Sequence, residues 1–215
     1  MIMLPLISMM TDIQKAPGVL SMSNMLTRPY RLMLFYKHVN WSIVYRYVPM
    51  ALIGSVLGAW SLSVINPQWL KILIALFLLS TPLQYQFGVK ERSFPMKLDW
   101  FAPLGFVVSF LNSLIGAVGP VNNPFYLNYG VNRQELTATK TANSFIVGIV
   151  QLLSYWHFKL IGLDHLPLVA ALTLGGWVGN HAGKYYLDKI SEKFFRRLSI
   201  MMMTLSGLSM LGEGN

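Results

Sequence analysis

The stretch from Trp100 to Ser144, WFAPLGFVVSFLNSLIGAVGPVNNPFYLNYGVNRQELTATKTANS, limits what this chain can fold into more than any other. From Trp100 to Gly119 it supplies the ~20 mainly apolar residues that a hydrocarbon core demands. Gly119-Pro120 and Asn123-Pro124 then free several backbone groups at what should be membrane depth. Such backbone survives there only when it is buried in protein or lines a cavity. The stretch therefore predicts a broken helix, and transporters build substrate sites from such breaks because half-helix N-termini aim N–H groups at an anion.

Composition agrees with a membrane solvent. Hydrophobic residues make up 54% of the 215 and charged residues 12%, against roughly 25% charged in soluble domains. Mean hydropathy is +0.49. Spans and short loops allow about seven or eight membrane segments in one domain over residues 1–215. The net charge of +9 is explained by basic loops kept on the cytoplasmic side rather than by nucleic acid. With no cysteine, disulfides, thiolate metal sites and a cysteine nucleophile are excluded.

Apolar segments are predicted over Ala16–Tyr36, Ser42–Val64, Trp69–Phe87, Leu136–Phe158, Leu166–Leu187 and Phe194–Leu211, with a longest polar loop at residues 89–99. The halves also superpose. Pro5 falls on Pro124, Asn24 on Asn143 and Tyr36 on Tyr155 at one shift; Gly54 falls on Gly179, Gly58 on Gly183 and Ile65 on Ile190 at a second. A first repeat over 1–88 and a second over 100–213 follow, with the first expected to be truncated because its matching proline is already residue 5. If the broken stretch is re-entrant, most basic residues collect at one face, leaving little beyond Lys15, Lys71 and Lys159 at the other, and the loops around Lys90–Lys97 and Lys184–Arg197 are both cytoplasmic. The expected fold is thus all-α: a polytopic membrane helical bundle of two inverted repeats with broken, re-entrant helices.

The glycine-rich break, Pro124-Phe-Tyr-Leu, Ala138-Thr-Lys-Thr-Ala-Asn-Ser-Phe145, the helix with Gly179 and Gly183, and Ile190-Ser-Glu-Lys-Phe-Phe-Arg-Arg197 together resemble the sulfite exporter TauE/SafE family of membrane transporters. The resemblance covers nearly the whole chain, with the family's first helix expected to be missing. It implies a multi-pass protein of the bacterial inner membrane that moves sulfite, small organosulfur anions or related carboxylates. The lipid bilayer and a small anion are the expected partners, with room for a homo-oligomer. A truncated, transport-inactive membrane subunit or assembly partner is the alternative.

Six residues are candidates for the substrate site. Lys140 suits an anion beside Asn143 and the Asn122 and Asn123 amides, although a lysine near a helix end also snorkels to the headgroups. Arg28 lies deeper, where an arginine usually has a function. Asn24, matched to Asn143 by the repeat, would face it across an inverted axis; hydrogen bonding between helices is its competing role. The acids fall at segment ends or in loops, which favours an anion over a cation as cargo. His181 could couple transport to protons, or be hydrogen-bonded across helices. His38, His157, His165 and His181 occupy separate segments without metal-ligand spacing, so no metal, cofactor or enzymatic activity is expected.

Overall fold

In the computed structural model, the described residues are Ile7, 11–80, 94–116, 118–187, Met201 and Thr204, and none of them forms a strand. Seven α-helices occur among them: α1 Ala16–Phe35, α2 Trp41–Val64, α3 Pro67–Leu79, α4 Phe101–Ile115, α5 Asn123–Tyr129, α6 Arg133–His157 and α7 Leu166–Leu187. Their starts are written locally. The Asn66 side chain accepts from Gln68 N at 2.8 Å, with Pro67 in the first turn where a missing N–H costs nothing. Asn132 and Glu135 form a reciprocal capping box, at 2.8 and 3.0 Å, that starts α6. Predicted and observed bounds agree closely for α1, α2 and α7. The predicted continuation beyond Ser80 lies outside the described residues, as does all of the predicted last segment except Met201 and Thr204.

Helix α2 and the segment Leu98–Ile115 are long and apolar enough to cross a membrane. On α2, Ile53, Leu57, Trp60 and Val64 follow one another at intervals of four, three and four and are all exposed. Water would not favour such a continuous apolar stripe, whereas lipid would. The opposite face of α2 meets α4 with almost no side chain between them. A Cβ at Gly54 would collide with the Phe106 carbonyl, one at Gly58 with the Phe110 carbonyl and Ser113 Cβ, and one at Gly105 with the Tyr47 carbonyl. Ser113 Oγ then donates to Ser55 O at 3.0 Å. Gly54 and Gly58, four residues apart on one face, thus let the two helix backbones approach closely.

Contacts along the helices fix their directions. Tyr47 lies by Gly105 and Ser55 by Ser113, so α2 and α4 run parallel. Asn40 N donates to Thr139 Oγ1 at 2.9 Å, joining the start of α2 to the first turns of α6. Helix α1 runs antiparallel to α6: Arg28 bonds Ser144, while Gly18 abuts Tyr155 and Ile161. One end of the bundle thereby gathers Lys37, Arg46, Lys97 and Lys140, with Arg46 paired to Asp99 at 3.4 Å. The far end holds Lys15, Lys71 and Lys159. Lys90, Arg92, Lys189, Lys193, Arg196 and Arg197 lie outside the described residues, as do Pro5 and Ile190 of the matched pairs.

The broken stretch is a hairpin. Helix α4 stops at Gly116, whose φ of +77° is a left-handed conformation that glycine adopts without strain. Asn112 closes the turn, its backbone carbonyl accepting from Gly116 N at 2.7 Å and its side chain from Val118 N at 3.3 Å. A 3-10 turn over Gly119–Asn122 leads into α5, with Pro124 in its first turn. The chain then comes back to where it began: the Phe101 ring is 5.0 Å from Tyr126 and 5.3 Å from Tyr129, and Phe94 N donates to Asn128 Oδ1 at 3.1 Å.

Candidate functional site

Helix α6 carries polar side chains along the face it turns to the core: Lys140, then Asn143 and Ser144, then Gln151, then Tyr155. These spacings return to one side of an α-helix every three to four residues. Near the start of this row lies a cleft of about 330 Å³ lined by Arg28, Asn123, Leu136, Thr137, Lys140, Thr141 and Ser144. Three elements meet in it: α1 supplies Arg28, the first turn of α5 supplies Asn123, and α6 supplies the rest.

Both cations are held by the fold. Lys140 Nζ donates to Asn123 Oδ1, which ties α6 to the broken stretch. Arg28 Nη1 donates to the Ser144 carbonyl at 2.8 Å and lies against Gly148, where a Cβ would meet it at 2.5 Å. The arginine therefore reaches across to α6 through a gap left by a missing side chain. Thr141 Oγ1 donates to Thr137 O at 2.7 Å, keeping its oxygen lone pairs for a further donor. No acid is among the described residues lining this cleft. At seven residues, α5 is too short to add a strong helix dipole, so side-chain cations dominate the electrostatics.

Two buried amides lie deeper. Asn143, 3% exposed, donates from Nδ2 to Tyr126 Oη at 2.8 Å, and Asn122 is 7% exposed in the 3-10 turn. Tyr47 faces Ser109 and Asn122 beside them. Among the described residues, the Oδ1 atoms of Asn122 and Asn143 have no hydrogen-bond partner. Farther along α6, Gln151 Nε2 donates to Ser113 Oγ at 3.1 Å and to Tyr155 Oη at 2.9 Å, while Tyr155 Oη donates to Ser113 O at 2.7 Å.

Of the six candidates, Arg28, Asn123 and Lys140 line one cleft, and Asn122 and Asn143 are buried polar residues outside its lining. Asn24 is on the exposed side of α1 and does not line the cleft. The side chain of His181 lies outside the described residues. Sequence reasoning missed Gly148, Gln151 and Tyr155. The signal for the latter two was their spacing of eleven and fifteen residues from Lys140, which keeps them on its face of the helix.

A chain whose described residues form helices and no strand, with membrane-length apolar helices and a cationic cleft beside a broken helix, has the build of a membrane transporter. The chain belongs to the sulfite exporter TauE/SafE family, whose model matches residues 1–210. No curated protein and no solved structure gives a significant match.

Proposed function

We propose that this protein carries a small anion, sulfite-like, organosulfur or carboxylate, across the bacterial inner membrane as a multi-pass transporter, with Arg28, Asn123 and Lys140 forming its binding cleft. The observation that carries this reading is the convergence of two cations from different helices on one cleft with no acid among its described lining residues. An anion entering it would meet the Lys140 ammonium and the Arg28 guanidinium, while the Thr141 oxygen, whose proton goes to Thr137 O, is left to accept from a protonated substrate oxygen or a water. Asn122 and Asn143 extend the polar lining inward, where their unpartnered carbonyl oxygens accept from a protonated substrate oxygen or a water that accompanies it. Asn24 remains a contributor only if α1 rotates during transport.

Two further features support the reading. The matched helices α1 and α6 run antiparallel, as inverted repeats require, and the two ends of the broken stretch lie side by side, as a re-entrant hairpin requires. The test is counterflow in vesicles containing the purified protein. Sulfite, sulfoacetate and acetate would be offered in turn, with a monovalent cation as the contrast. Exchange of at least one of the anions is expected; cation exchange without anion exchange would overturn the proposal.

A further inference from the structure

We infer that the far end of α6 carries a second oxyanion site, which takes a phosphate- or sulfonate-type group between Lys15 and Lys159. A cavity of about 550 Å³ opens there, lined in part by Lys15, Trp156, His157, Lys159, Asp164 and His165. It is separate from the cleft at Lys140: the seventeen residues from Lys140 to His157 span about 26 Å of helix. The two lysines come from different elements, Lys15 from the residue before α1 and Lys159 from the α6–α7 connection. They are brought together because Gly18 lets the start of α1 press against Tyr155 and Ile161.

Lys159 is the second observation. It holds φ +56°, the only positive φ of a non-glycine among the described residues. Its N–H bonds Trp156 O at 3.1 Å and Leu160 N bonds Tyr155 O at 2.9 Å, the pair of bonds that closes a helix around a left-handed residue. Glycine is usual in that position because a Cβ is strained there, and strain kept by a chain points to use of the side chain. The helix dipole favours a cation at this end, but it does not call for a second lysine from another element or for two histidines around the same cavity. Two acids lie near it: Asp12 pairs with Lys15 at 3.1 Å, and Asp164 Oδ2 is 3.1 Å from His165 Nδ1, an ion pair when that histidine is protonated; both carboxylates are largely exposed, where solvent and salt screen them.

Exposed Trp156 sets the level of the cavity, since tryptophan collects at the membrane–water interface. A lipid headgroup phosphate and a free oxyanion present the same chemistry at that depth. The site does not depend on the cleft at Lys140 carrying substrate, so the test reads binding and not transport.

The full-length protein would be placed in two settings: phosphatidylcholine nanodiscs titrated with inorganic phosphate or sulfate, and detergent solution titrated with phosphatidylglycerol and read by native mass spectrometry. Saturable binding in the first assigns a soluble oxyanion, and in the second a headgroup; either supports the site. Lys159→Gly should raise the melting temperature, because the backbone strain is relieved, and weaken binding at least tenfold. Lys159→Arg should keep the affinity, and Lys15→Gln should lower it without the gain in stability. Binding absent in both settings, or unchanged in both Lys159→Gly and Lys15→Gln, would overturn the inference.

Discussion

Arg28 is positioned by a side chain that is missing. Its guanidinium occupies the space a Cβ on Gly148 would take, with Met25 Sδ 3.1 Å from the same point. Gly148→Ala should leave α6 intact, since alanine is the better helix former, yet displace the guanidinium and weaken anion binding several-fold. Isothermal titration with sulfite checks this; an unchanged affinity would mean that Arg28 does not hold the anion from its present position. Lys140 was legible in the sequence because a lysine three residues before an asparagine on an apolar helix stands out, and Asn123 because it flanks a proline break. Gly148 was not, since a glycine that makes room for a distant arginine looks like any packing glycine until the two helices are placed together. Asn24 shows the reverse: a repeat register says which residues correspond, not which of them are buried.

At the scale of elements, the α2–α4 contact is the most demanding in the fold. Gly54→Val would drive two methyl groups into the Phe106 backbone, and overpacking of this kind costs about 1–3 kcal/mol. A lowered melting temperature in detergent is expected, while Gly175→Ala, with nothing within 4 Å of the added Cβ, should change it little. An unaltered melting temperature in Gly54→Val would mean that the two helices separate freely. The four-residue spacing of Gly54 and Gly58 marks this contact, whereas the helices at Pro67 and Arg133 start two and three residues before the predicted Trp69 and Leu136, because the Asn66 cap and the Asn132–Glu135 capping box act ahead of the apolar runs. The sequence placed the break three residues late. Both Gly116 and Gly119 can adopt a left-handed turn, and what selects Gly116 is Asn112 reaching Val118 N, a side-chain bond that composition does not reveal.

Across the whole molecule, charge and helix direction give one orientation. Lys37 and Lys97 lie at the end of the bundle that holds Lys140, and Gln68 lies at the other. The chain has no cysteine, so single cysteines report cleanly: Lys37→Cys and Lys97→Cys should label from the cytoplasmic side and Gln68→Cys from the opposite side. Labelling of Lys37→Cys and Lys97→Cys from opposite sides would contradict the parallel run of α2 and α4. Family membership was readable along nearly the whole chain because glycine, proline and small-polar patterns follow the fold, whereas substrate identity depends on a few side chains in a cleft that patterns do not describe. The central claim, that Arg28 and Lys140 hold the anion, is tested most directly by sulfite flux into vesicles carrying wild-type protein, Arg28→Ala, Lys140→Ala or Lys71→Ala. Removing one partner of a buried charge pair costs about 2–5 kcal/mol, so the first two substitutions should each lower apparent affinity at least tenfold and Lys71→Ala should not. Equal flux in wild type, Arg28→Ala and Lys140→Ala at limiting sulfite would contradict it.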